Sequence, residues 1–86
     1  MEFEFDPKKS KINKAKHGLD FTKAQALWDD PDCIGFPAQS EDEDRFALLA
    51  QVADKLWVAF YTVRGDKIRI ISVRRARTNE RKLYES

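Results

Sequence analysis

Two adjacent segments near the C-terminus leave this chain few ways to fold. Leu56–Val63 (Leu-Trp-Val-Ala-Phe-Tyr-Thr-Val) and Lys67–Val73 (Lys-Ile-Arg-Ile-Ile-Ser-Val) are dense in β-branched and aromatic residues, the types that suit a pleated, half-buried surface. Arg64-Gly65-Asp66 between them reads as a tight turn, so the pair is predicted to be an antiparallel hairpin. Asp54-Lys55 offers another turn one strand earlier. That draws Arg45–Val52 into the same meander as a strand, although its short apolar run alone does not separate strand from helix.

The first third of the chain has a different period. Phe3 and Phe5 alternate with Glu2 and Glu4, as in a short half-buried strand. Asp6-Pro7 then reads as a helix start, and Lys8–Lys16 as a basic helix with Ile12 and Ala15 as its main apolar contacts. Gly18 is placed to end it in the left-handed conformation. Asp20 is a second N-cap candidate, after which Phe21, Ala24, Leu27 and Trp28 share one helical face until Asp29-Asp30-Pro31 stops it. Cys33–Phe36 is a weaker strand, with Gly35 inside it and Pro37 next to it, and Ser40–Asp44 an acidic turn. Arg77–Tyr84 lacks Gly and Pro and reads as a closing helix that Thr78 can cap. The predicted order is β-α-α-β-β-β-β-α: one α+β domain over 1–86, a small antiparallel sheet flanked by helices.

Eighty-six residues bury roughly 60–65% of their unfolded surface, a modest core. No apolar run approaches the ~20 residues that span a bilayer, and the acidic Met1–Asp6 lacks the layout of a secretory signal. Cys33 is the only cysteine, which rules out an internal disulfide and points to the cytoplasm. It reads as a small buried hydrophobe; a catalytic thiol would need an organised base.

The net charge of +1 hides a strong asymmetry. Asp29–Asp44 holds seven acidic residues and no basic one, whereas Arg64–Ser86 holds eight basic residues against three acidic. Basic surface attracts phosphate backbone, and six of those eight are Arg, whose fork can grip phosphate. Arg69 is the most informative, because an unpaired guanidinium in an apolar strand is very costly. It either pairs with a carboxylate such as Glu80 or opens onto a polar cleft. Arg64 sits at the hairpin turn and Arg74 and Arg75 at the far end; Lys67 and Arg74 would lie roughly 23 Å apart in a regular strand. An extended RNA could touch both ends, but a single phosphate could not. His17, the only histidine, is a candidate general acid or base, or else a helix-terminal residue bonded to the last carbonyls. Tyr61 and Tyr84 fit base stacking, proton donation or plain packing; Trp28 and Trp57 fit the core. There is no Gly-rich phosphate loop, zinc spacing or Ser-His-Asp arrangement. Glu41-Asp42-Glu43-Asp44 reads as a solvated loop rather than a cation site, so no metal or cofactor is expected.

These residues also resemble the BrnT toxin family over essentially the whole chain. The matching pieces are Phe3-Glu4-Phe5-Asp6-Pro7, Asn13-Lys14-Ala15-Lys16-His17-Gly18 with Phe21, Trp28-Asp29-Asp30-Pro31 and Arg45-Phe46. Tyr61-Thr62-Val63-Arg64-Gly65, Ile68-Arg69-Ile70-Ile71-Ser72, Arg74-Arg75-Ala76 and Glu80-Arg81-Lys82-Leu83-Tyr84-Glu85 follow in order. Val73 stands where the family favours alanine. The resemblance implies a RelE-like fold and a ribonuclease toxin of a type II toxin–antitoxin system. Its RNA cleavage would inhibit translation, and a BrnA-type antitoxin would neutralise it. Operator DNA would be bound only through the antitoxin. Arg64, Arg69, Arg74 and His17 are then the catalytic candidates, and Lys16, Arg75, Arg81 and Tyr84 the RNA-binding ones. The antitoxin is expected to cover the basic face. The alternative is a non-catalytic RNA- or partner-binding module, an inactive toxin acting within a regulatory complex.

Overall fold

The computed structural model describes residues 1–39 and 43–86. The hairpin strands are the longest elements: β4 (Lys55–Arg64) and β5 (Lys67–Arg75) at the centre of a five-stranded sheet. β3 (Arg45–Val52) and β2 (Ile34–Ala38) continue the antiparallel ladder on one side. β1 (Glu2–Glu4) adds to the other side of β5, giving the order β1-β5-β4-β3-β2. β1 runs parallel to β5, so the sheet is mixed and not antiparallel throughout. The expected direction came from tight turns between consecutive strands. No such turn joins β1 to its neighbour, and nothing local fixes its direction.

Three helices complete the fold: α1 (Pro7–His17), α2 (Phe21–Ala24) and α3 (Thr78–Glu85). The second helical segment is only four α-residues long and continues as a 3-10 turn, Gln25–Asp29. Phe21, Ala24 and Leu27 are all fully buried at a spacing of three, which is the 3-10 period rather than the α one. Asp6 and Asp20 cap α1 and α2 through the amides of Lys8 and Lys23, and Gly18 adopts φ +92° after α1. α3 starts one residue earlier than Thr78-capping would require: its N-cap is Arg77, whose amide donates to Glu80.

α1 is not held by the residues expected of it. Ile12 is 63% exposed and Ala15 is exposed, while the buried positions are Ser10 and Asn13. Ser10 Oγ accepts the Phe21 amide; Asn13 donates to the Leu19 carbonyl and accepts the Val73 amide. With too thin an apolar stripe to pack, the helix attaches by hydrogen bonds, one to the Val73 amide of β5 beyond the stretch that β1 covers and two to Leu19 and Phe21 in the segment that follows it.

The core has two layers. Leu19, Phe21, Ala24 and Leu27 pack on Leu48, Ala50, Trp57, Ala59, Ile70 and Val73. On the other face Ala47, Leu49 and Val58 meet Phe36, Phe60, Ala76 and Tyr84. Apolar cover on both faces explains why Ala47–Ala50 are consecutively buried. Trp28 meets Phe3 and Tyr61 edge-on at 5.1 and 5.3 Å.

Candidate nucleic-acid interface

An irregularity in β5 decides where the arginines go. Tyr61 pairs with Ile70 but Phe60 pairs with Ser72, leaving Ile71 as an extra, unpaired residue. Arg69 and Arg74 are five residues apart, and a regular strand would point them to opposite faces. The bulge restores them to one face. Arg69 opposes Thr62, Arg74 opposes Val58, and Arg64 opposes Lys67. All three arginines therefore share the face that carries α3. The same shift lets Ile70 and Val73 enter one core layer despite their odd spacing.

Sharing a face does not give the three arginines one role. Arg74 grips Glu80 with two bonds of 2.8 Å and lies 5.4 Å over the Phe60 ring. The Arg74 hydrogen bonds pull the Glu80 carboxyl down to about 2, and Glu80 in turn raises the Arg74 guanidinium above its usual value. This is the partner that sequence reasoning gave to Arg69. Arg69 instead pairs loosely with Glu4, at 3.6 Å, because β1 sets Glu4 directly opposite it. Arg64 and Lys67 are exposed and have no ion-pair partner among the described residues. Arg45 approaches Glu43 at 3.9 Å.

Arg75, the next residue after Arg74, points the other way and lies 5.4 Å over Trp57. It lines a cleft of about 250 Å³ at the end of the sheet together with Arg81 and Tyr84. The Tyr84 hydroxyl donates to Asp30 at 2.7 Å, and that bond pushes the phenol up to about 12. Burial works against the Asp30 charge, but the Tyr84 hydroxyl and the amides of Asp32 and Gln51 outweigh it and hold its pKa below the ordinary value. Tyr61 is half-buried against Trp28 and Phe46, and burial raises its phenol. It is a packing residue.

Lys16 and His17 occupy the last turn of α1. Among the described residues no hydrogen bond or ion pair links either to Arg64, Arg69 or Arg74. The structure thus puts Arg64 and Arg69 on one face, two pair positions apart, and lines one cleft with Arg75, Arg81 and Tyr84. Glu4 was missed as a site residue; its alternation with Phe3 showed that it faces away from the core but not what it would meet. Free Cys33 is half-buried beside the first core layer. Among the described residues no three His, Cys, Asp or Glu side chains converge as metal ligands. The acidic turn Ser40–Asp44 lies partly outside the described residues, as do Glu41 and Asp42 of the carboxylate cluster. No described helix is long and apolar enough to cross a membrane.

A family model described as "Ribonuclease toxin, BrnT, of type II toxin-antitoxin system" matches residues 5–80. No curated protein matches the chain.

Proposed function

The chain belongs to the BrnT family of ribonuclease toxins of type II toxin–antitoxin systems, and from that premise we propose that it cleaves RNA without a metal ion, on the part of its sheet that carries Arg64 and Arg69. The observation that carries the reading is the β4–β5 register, in which Arg64 opposes Lys67 and Arg69 follows Lys67 by two residues, so that both arginines share one face where an RNA strand can lie across β4 and β5. The ribose 2′-hydroxyl attacks the adjacent phosphorus in line, and the bond to the 5′ oxygen breaks. The products are a 2′,3′-cyclic phosphate and a 5′-hydroxyl. Arg64 and Arg69 offset the charge that grows on the phosphoryl oxygens. Glu4, 3.6 Å from Arg69, takes the 2′-hydroxyl proton. Lys67, across the turn from Arg64, protonates the leaving oxygen.

Arg74 has both terminal nitrogens committed to Glu80 and serves to fix α3. Arg75, Arg81 and Tyr84 hold RNA farther along, in their cleft. Tyr84 contributes its ring, since the bond to Asp30 makes its hydroxyl a poor acid. Lys16 and His17, on α1, contact phosphate beyond the sheet rather than transfer protons at the reacting one. Cleavage of this kind inhibits translation, and a BrnA-type antitoxin covers the basic face and carries the complex to operator DNA. The five-stranded sheet with helices on both faces supports a RelE-like fold.

The test is to incubate the purified chain, freed of partner, with total RNA in excess EDTA beside an Arg64→Ala variant. Cleavage by the wild type alone is expected, with cyclic phosphate ends. RNA left intact by the wild type, with and without translating ribosomes, would make the chain a non-catalytic binding module.

A further inference from the structure

At the β3–β4 turn the face opposite α3 is left open. Between α2 and that turn lies a groove of about 500 Å³, lined mainly by Leu19, Thr22, Ala26, Val52, Ala53 and Trp57. Lys23 and Lys55, both exposed, also line it. Trp57 is only 5% exposed, yet its indole Nε1–H is buried without an acceptor among the described residues.

We infer that this groove seats a segment of the antitoxin in which aliphatic side chains are flanked by carboxylates. The inference rests on the family reading, which supplies an antitoxin as partner. Aliphatic side chains match the apolar lining, and acidic neighbours match Lys23 and Lys55. A nucleobase fits less well: stacking needs an open ring face, and Trp57 is buried with Arg75 already over it. Lys55 is shared between this groove and the cleft of Arg75, Arg81 and Tyr84. A segment anchored in the groove and continuing past Lys55 therefore masks those arginines from RNA. Neutralisation then includes this contact at the Arg75 cleft beside the cover of the Arg64–Arg69 face.

Two exposed substitutions test this, neither in the residues assigned to RNA. Ala26→Glu puts a charge into the groove, and Lys23→Glu reverses its rim. The probe is the antitoxin encoded beside this chain's own gene, titrated calorimetrically and followed by tryptophan fluorescence, of the two indoles only Trp57 lining the groove and Trp28 lying between Phe3 and Tyr61. Each variant should bind at least tenfold more weakly than wild type, cleave RNA at the wild-type rate, and resist inhibition by the antitoxin. Wild-type emission should shift on binding, and the Ala26→Glu signal should not at the same concentration. Unchanged affinity in both variants would overturn the inference, as would a wild type that binds no antitoxin. Loss of RNA binding with antitoxin binding intact would also overturn it, making the groove a nucleic-acid site. If Ala26→Glu unfolds by circular dichroism, Lys23→Glu on the exposed side of α2 decides alone. A wild type that binds the antitoxin but cleaves no RNA would sink the catalytic reading and leave this comparison standing.

Discussion

The two halves of the α3 face are built from the same strands and serve as opposites. Toward the β3–β4 turn, Leu49, Val58 and Phe60 lie under Ala76 and Tyr84, and the arginine there, Arg74, is clamped by Glu80. Toward the Gly65 turn, Arg45, Arg64, Lys67 and Arg69 meet carboxylates no closer than 3.6 Å among the described residues. The same residue type thus does two jobs. A guanidinium whose fork already holds a carboxylate in a sheltered place is a structural clamp. One that is loosely paired in solvent gains little from its partner and can exchange it for phosphate.

The sharpest way to break this contrast is to delete Ile71. Without the bulge, either Arg69 or Arg74 must turn to the face covered by α1 and α2, and Ile70 or Val73 must leave it. The cost should be about 1.5–3 kcal/mol for the apolar side chain uncovered, with the guanidinium forced among apolar groups adding to it, so the urea midpoint should fall sharply. A deletion variant that unfolds like wild type would mean the faces are wrongly assigned. Next in size, Arg64→Ala should lower RNA cleavage about 100-fold with no change in the urea midpoint. Arg74→Ala should do the reverse, losing about 1–3 kcal/mol of stability and less activity than Arg64→Ala; an Arg74→Ala that is stable but inactive would erase the distinction.

Acid should discriminate the halves more gently. The Glu80 carboxyl is depressed from 4.5 to about 2, so its contribution is complete above 4.5 and fades as pH falls toward 2. Urea midpoints measured across that window should fall in wild type, and Glu80→Gln should flatten the part due to this pair. The smallest effect lies outside both halves. Ala53 and Asp54 form the β3–β4 turn with φ of 52° and 64°, a conformation that suits glycine. Ala53→Gly should stabilise by about 0.5–1 kcal/mol and leave cleavage as it was.

Sequence reasoning reached the hairpin, the caps of the first two helices and the helix-rich first third because each depends on neighbours within a few residues, but it put the cap of α3 at Thr78 where Arg77 serves. Asp6, Gly18 and Asp20 do what their types dictate. It did not reach contacts that depend on one extra residue or a distant strand. Placing Arg69 opposite Glu4 required the direction of β1, and giving Glu80 to Arg74 required the bulge. The bulge left a trace, in that Ile68 and Ile70 keep a period of two and Val73 breaks it. The second helix likewise announced its 3-10 half through the spacing of Phe21, Ala24 and Leu27. Pairings around α1 were out of reach, because Ser10 and Asn13 look like surface residues until their hydrogen-bond partners are known.

That polar attachment of α1 has a thermodynamic consequence. A segment that detaches by breaking hydrogen bonds, while uncovering little hydrocarbon, adds little to the heat capacity of unfolding and responds weakly to denaturant. α1 should therefore open as a unit of its own, ahead of the sheet. The Val73 amide, closed by Asn13 and not by a neighbouring strand, is its reporter. Its hydrogen exchange should hardly change with low urea, while the amides between β4 and β5 speed up.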